Sequence, residues 1–312
     1  MKLRVATRTS KLALAQTRWV IKQLQLHHAG LEVEEFPIVT RGDKEQDKPL
    51  WQIGGKALFV SELEQAVLRG EADFAVHSMK DLPAEIADGL DIVCIPPRED
   101  PSDAIVSFEG EEFDALTAGS SIGTSSPRRT VQLRAKRPDL AFVPLRGNID
   151  TRIRKLDSGE VSAIVLALAG LRRLGIQDKR IRVLPFDLSL PAIGQGALAL
   201  QGRTDDTGTT EILSCLENST ARLEIEAERA LAKGLGVDCH VPVAGLARSM
   251  SNGQQLKIEA MVASSDGDRT LSSFTQEDIL VATQEQRYNE ARRMGTELAE
   301  RLLEQGAKDL IT

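Results

Sequence analysis

The chain has 312 residues, 41% of them hydrophobic and 4% aromatic, with a formal net charge of −7. That length supports two or three domains with aliphatic cores, and the acidic average surface excludes general attraction to nucleic acid or anionic lipid. Cys94, Cys215 and Cys239 are odd in number and lack CxxC spacing, so neither a disulfide framework nor a metal site is expected.

The first residues, Met1-Lys2-Leu3-Arg4-Val5, go straight into a strand without an apolar signal core. No apolar run approaches a membrane span, so a soluble, cytoplasmic protein is expected. Residues 3–7 read as that strand. Ser10 can cap a helix over about 10–28 carrying Leu12, Leu14, Trp19, Val20 and Leu24. A strand follows over roughly 31–39. The polar stretch from Arg41 to Pro49, closed by Gly54-Gly55-Lys56, has no helical or strand period; it reads as a mobile lid or an ordinary surface loop. A helix runs from near Phe59 to about Gly70, then strands at 73–76 and about 90–95. Pro96, Pro97 and Pro101 mark a domain crossing.

A second α/β set begins near 103, with strands at about 121–124, 140–144 and 162–166 and helices over 127–137, 149–158 and 168–175. The turn-rich stretch Pro191 to Ala197 is the return crossing, and the apolar run 197–200 rejoins the first domain. A capped helix over 219–235, three strands and a helix over about 284–305 form a third unit. The order predicts an α/β fold of two doubly wound domains plus a small C-terminal α+β domain. The boundaries are 1–97 with 197–217, then 102–192, then 219–312.

His77-Ser78-Met79-Lys80-Asp81-Leu82-Pro83 ends an apolar strand, which places Lys80 and Asp81 at the strand's C-terminal end, where open α/β sheets bind ligands. A carboxylate there can stabilise positive charge; alternatively, Asp81 caps a turn beside a solvated Lys80. Ser125-Ser126-Pro127-Arg128-Arg129 reads as a helix start suited to an anion, or as a capped surface helix with solvated arginines. Arg146 and Arg152 flank another such start, where Gly147 allows a tight turn and Asn148 can cap. Arg172 and Arg173 form a third pair, and Arg8-Thr9-Ser10 is a further helix start. Residues 120–182 hold 14 Lys/Arg against 5 Asp/Glu, a balance of +9 that leaves −16 for the rest. Together the pairs suggest a pocket for several carboxylates or phosphates. Phe142 is the lone aromatic of this segment, so stacking platforms for nucleic acid are absent. Cys239 lies in a helix-to-strand turn, open to modification, whereas Cys94 sits among apolar residues.

These pieces resemble the porphobilinogen deaminase (hydroxymethylbilane synthase) family. The matching motifs are Ala6-Thr7-Arg8-Thr9-Ser10, Val39-Thr40-Arg41-Gly42-Asp43, Gly54-Gly55-Lys56-Ala57-Leu58-Phe59 and Ala75-Val76-His77-Ser78-Met79-Lys80-Asp81. Gly123-Thr124-Ser125-Ser126 with Arg128-Arg129, Leu145-Arg146-Gly147-Asn148, and Leu190-Pro191 through Gln195-Gly196-Ala197 follow in the same order. The resemblance implies two domains like those of periplasmic binding proteins and a third domain carrying a cofactor. It implies a transferase of tetrapyrrole and heme biosynthesis that joins four porphobilinogen molecules head to tail, releases ammonia and yields hydroxymethylbilane. The primer would be a dipyrromethane held by a thioether to Cys239. By similarity Asp81 is the catalytic carboxylate. Arg8, Ser10, Lys80, Ser126, Arg128, Arg129, Arg146, Arg152 and Arg173 would bind carboxylates of cofactor and substrate, and Lys56, Phe59 and Gln195 complete the site. The resemblance also implies a monomer without nucleic-acid or membrane partners. Gln52, Asp238 and His240 depart from the pattern, where bacterial members often carry Lys, Gly and Gln; the cysteine and Val241-Pro242 are kept.

Overall fold

The computed structural model describes residues 2–40, 60–236 and 241–311. The chain packs as two compact units, residues 1–99 with 197–222 and residues 100–196 with 223–312.

The first unit is built on a five-stranded sheet in the order β2-β1-β3-β10-β4. Its strands are β1 (Lys2–Arg8), β2 (Glu32–Ile38), β3 (Phe74–Ser78), β4 (Leu90–Cys94) and β10 (Leu198–Arg203). β1 pairs in parallel with β2 and β3, whereas β10 runs antiparallel to β3 and β4. Phe74, Ala75 and Val76 are buried on both faces of the sheet, as a continuous apolar run in a central strand requires. Helix α1 (Lys11–His27) covers one side through Val20 and Leu24, with Leu3, Val5, Phe74, Leu198 and Leu200 beneath. Helix α2 (Ser61–Leu68) buries Leu63 and Val67 against Ala6, Ala75 and Leu90 on the other. Cys94 is part of the first of these cores, where burial pushes its thiol pKa up; it is a packing residue.

The second unit repeats the design. Its sheet has the order β7-β6-β8-β5-β9, from β5 (Asp103–Ser107), β6 (Ser121–Gly123), β7 (Ala141–Val143), β8 (Ala163–Ala167) and β9 (Ile181–Val183). Again four strands share one direction, and the antiparallel member, β5, comes from the segment that has just crossed between units. Two sheets with one shared order, each completed by a strand from the crossing segment, define the periplasmic-binding-protein-like pair of doubly wound domains. Helices α3 (Pro127–Lys136), α4 (Ile149–Asp157) and α5 (Leu168–Arg173) flank the second sheet. Beyond the expected elements lie β5, β9 and the short helix α6 (Thr207–Leu213).

The same unit carries the small α+β domain. An antiparallel meander of β11 (Val243–Met250), β12 (Gln255–Ala263) and β13 (Thr270–Asp278) is backed by α7 (Ser219–Leu235) and α8 (Gln284–Glu304). A methyl group on Gly295 of α8 would collide with the Ala227 carbonyl oxygen of α7, so glycine sets how closely these helices approach. Val131 and Leu190 pack with Ala244, Met261 and Ala263, which seats this domain on the second sheet's layer. No helix among the described residues is long and apolar enough to cross a membrane.

Candidate functional site

In the first unit the Asp81 turn grows out of β3. The strand gives way to one 3-10 turn over Met79–Asp81, closed by the Leu82 N–H donating to the Met79 carbonyl at 3.1 Å. Met79 is buried, and its N–H donates to the Ala197 carbonyl at 3.0 Å. The turn is therefore anchored from below, while Lys80 and Asp81 stay half-exposed. β1 lies parallel to β3, so Arg8 emerges at the same sheet edge, with its Nη1 3.7 Å from Asp81 Oδ2. Ser10 caps α1 as its sequence predicts, accepting from the Ala13 N–H at 3.3 Å.

Arg8, Gln16, His77, Ser78 and Asp81 line one pocket at this edge, with Ala13, Val60 and Val76. Behind it runs a buried polar chain. Gln201 Nε2 donates to Glu64 Oε1 at 2.8 Å, which leaves Gln201 Oε1 to face His77 Nε2 at 3.0 Å. The hydrogen-bond network thus assigns the proton of His77 to Nε2. Burial is the main force bringing the His77 pKa down to about 4; the Gln201 hydrogen bond opposes it and the Arg8 charge adds to it. His77 is neutral at physiological pH.

In the second unit α3 opens as expected, with Ser126 at the cap accepting from the Arg129 N–H at 3.4 Å and Pro127 in the first turn. The two arginines that follow are not solvated. Arg128 and Arg129 are 4% and 6% exposed and both reach Asp103, which is fully buried. Arg128 Nη1 donates to Asp103 Oδ2 at 2.8 Å and to the Leu190 carbonyl at 2.6 Å. Arg129 donates to Asp103 Oδ1 through Nε at 3.0 Å and Nη2 at 2.6 Å, and through Nη1 to the Val165 carbonyl at 3.0 Å. Ser189 Oγ and Gln195 Nε2 add bonds of 2.7 and 2.9 Å to the same carboxylate. Burial resists a charge on Asp103, but the two guanidiniums outweigh it and hold its carboxyl far below the usual range.

Arg146 and Arg152 extend this cluster. Gly147 sits at φ 111°, and a side chain there would strike Thr151 Cγ2 at 2.8 Å, so the turn between the two arginines needs glycine. Asn148 occupies the cap position of α4 but makes no side-chain cap bond, contrary to expectation. Arg152 Nε donates to the Gly147 carbonyl at 2.8 Å. Burial, then the charges of Arg129 and Arg146, lower the Arg152 pKa to about 10. Arg146 Nη1 is buried without a hydrogen-bond partner. Among the described residues, Asp103 is the lone carboxylate bonded to any of Arg128, Arg129, Arg146 and Arg152. Arg173 Nη2 donates to the Gly196 carbonyl at 2.6 Å, while Arg172 pairs with Asp100 at 3.3 Å. Cys239, Lys56 and Phe59, with Gln52, Asp238 and His240, lie outside the described residues.

Sequence reasoning passed over Asp103, Ser189 and the Glu64–Gln201 chain. An aspartate opening an apolar strand directly after Pro101-Ser102 was the available signal for the first; the others are joined only by tertiary contact.

A cluster short of negative charge, with an unpartnered buried N–H, fits a ligand rich in carboxylates. Comparison with known proteins gives that ligand a class. A family model described as "Porphobilinogen deaminase, dipyromethane cofactor binding domain" matches residues 3–211, and one described as "Porphobilinogen deaminase, C-terminal domain" matches residues 222–304. The chain belongs to the porphobilinogen deaminase family. It is thereby a transferase of tetrapyrrole biosynthesis with hydroxymethylbilane synthase activity and a dipyrromethane-binding domain. Solved structures similar to it include the periplasmic VFT2 domain of BvgS from Bordetella pertussis, at 18% identity over 68% of this chain and 85% of that one, with a TM-score of 0.40. Another is a variant of the OxyR2 regulatory domain from Vibrio vulnificus, at 12% identity over 69% and 97%, with a TM-score of 0.42. The regulatory domain of MetR, a LysR family regulator from N. meningitidis, matches at 14% over 68% and 91%, with a TM-score of 0.37. The orphaned Arg146 Nη1 and the desolvated Arg152 suit the carboxylate side chains of a dipyrromethane.

Proposed function

We propose that this protein deaminates porphobilinogen and joins four molecules head to tail into hydroxymethylbilane, on a dipyrromethane primer attached through a thioether to Cys239. The observation that carries the reading is the arginine cluster: four guanidiniums, one internal carboxylate, one unpartnered buried N–H and one arginine pKa brought down by desolvation and its neighbours. Each porphobilinogen ring brings an acetate and a propionate, so a growing chain supplies the missing negative charge.

Arg146 and Arg152 bind these carboxylates, with Arg173, Lys80, Arg8 and the helix starts at Ser10 and Ser126 assisting. Arg128 and Arg129 contribute charge from a buried, fixed position, and Gln195 shares their anchor. The primer supplies the nucleophilic pyrrole carbon from which the chain grows. Asp81 carries the chemistry. Loss of ammonia from porphobilinogen leaves a cationic azafulvene, and a fixed carboxylate beside the pyrrole N–H stabilises that charge and helps move the proton released after each C–C bond forms. Arg8, at 3.7 Å, places a cation beside this carboxylate. Lys56 and Phe59 complete the site, and the enzyme acts as a cytoplasmic monomer. Its functional division is 1–97 with 197–217 for catalysis, 102–192 for carboxylate binding and 219–312 for cofactor attachment.

The test is stoichiometry. Purified protein with porphobilinogen should release four ammonia per hydroxymethylbilane, and Asp81→Asn should cut turnover by about 10²–10³-fold while still binding substrate. Release of ammonia at the parental rate by Asp81→Asn contradicts the role given to that residue.

A further inference from the structure

We propose that Asp103 is a positioning residue for the carboxylate-binding wall, acting through Arg128, Arg129 and Gln195. This inference rests on the function proposed above. Asp103 opens β5 and is fully buried, yet its two oxygens accept from four side chains on three separate segments: Arg128 and Arg129 on α3, Ser189, and Gln195 in the return crossing. Arg129 is held by three bonds counting the Val165 carbonyl, which fixes its guanidinium plane. Its charge in turn acts on Arg152, and Gln195 is tied both to Asp103 and to the Pro101 carbonyl at 2.6 Å. A buried ion pair adds little net stability over apolar packing of the same volume. Here it fixes two cations and an amide in the cluster where Arg146 Nη1 lacks a partner, which is what a site needs in order to meet a polyanionic ligand without reorganising.

The proposal makes a prediction opposite in sign to simple electrostatics. Deleting a negative charge from a site that binds carboxylates strengthens Coulombic attraction and should lower KM. If Asp103 positions its partners, the loss should raise KM instead. The experiment compares holoenzyme of the parent, Asp103→Asn and Ser189→Ala. It measures KM and kcat for porphobilinogen, Tm, and the fraction of protein carrying the dipyrromethane mass. Loss of a charged hydrogen-bond hub predicts a KM about tenfold higher in Asp103→Asn, and loss of one of the hub's several donors predicts a smaller rise, about two- to threefold, in Ser189→Ala. The change in kcat should be the smaller one in both, and the loaded fraction should fall in Asp103→Asn. A lowered Tm with KM unchanged or reduced in both variants means the hub is merely structural and overturns the proposal. If Asp103→Asn does not fold, Ser189→Ala decides alone by the same criterion. A parent that neither consumes porphobilinogen nor carries the added mass overturns the proposed function and this inference with it. A working parent with unmoved variants overturns this inference alone.

Discussion

Removing Arg152 should make the cofactor-free protein more stable and the working enzyme worse. Its pKa falls from the ordinary 12.5 to about 10, chiefly through burial, with Arg129 and Arg146 adding repulsion. At about 1.36 kcal/mol for each tenfold change, keeping Arg152 charged in the fold costs roughly 3 kcal/mol. The unfolded chain binds the proton more tightly, so this cost is fully present at neutral pH and is relieved only as pH climbs from about 10 towards 12.5. Arg152→Met abolishes it but loses the 2.8 Å bond from Nε to the Gly147 carbonyl, worth about 1 kcal/mol. The net gain is about 1–2 kcal/mol, or roughly 2–8 °C in Tm. The comparison belongs in a Cys239→Ser background, which removes the proposed attachment point of the primer, by calorimetry at pH 7.5. Holoenzyme of Arg152→Met should meanwhile show a raised KM for porphobilinogen, because the strain is retained for ligand binding. A fall in Tm of several degrees in the cofactor-free pair would refute the reasoning, since it would mean Arg152 already has its charge satisfied.

Three further outcomes follow from the same geometry. Arg146→Leu removes the guanidinium with the unpartnered buried N–H, so KM or the dissociation of chain intermediates should worsen about 10- to 100-fold, as expected for a charged hydrogen bond; stopped-flow elongation matching the parent would count against it. His77 is held neutral with a pKa near 4 against an ordinary 6.5, so its stabilising effect is present above about 6.5 and lost as pH falls towards 4. His77→Gln should flatten that acid limb of a Tm-against-pH curve, and an unchanged limb would assign the effect elsewhere. Asp238 beside Cys239 should raise the thiol pKa and slow primer attachment, so Asp238→Gly should reconstitute faster from the cofactor precursors; an equal rate removes the idea.

Much of the fold was legible because its strands and helices carry local signals. The continuous apolar run before His77 and the Ser126-Pro127 helix start needed no tertiary information, and both elements lie where their sequence puts them. β9 and α6 escaped because a three-residue edge strand and a seven-residue helix carry too few residues for a period to emerge. The arginines stood out by composition, but their division of labour did not. That Arg128 and Arg129 are bound to Asp103 while Arg146 keeps an unpartnered N–H depends on contacts between segments 25 or 26 residues apart, which no local pattern encodes. The same holds for Gln201, 124 residues from His77.

The most direct test of the account is the intact mass of the purified protein before and after brief exposure to porphobilinogen, with peptide mapping. The account predicts an excess of two linked pyrrole units on the peptide bearing Cys239, followed by a ladder of single-pyrrole additions that ends when product is released. An unmodified Cys239 peptide that stays bare after incubation with the cofactor precursors and porphobilinogen would contradict it.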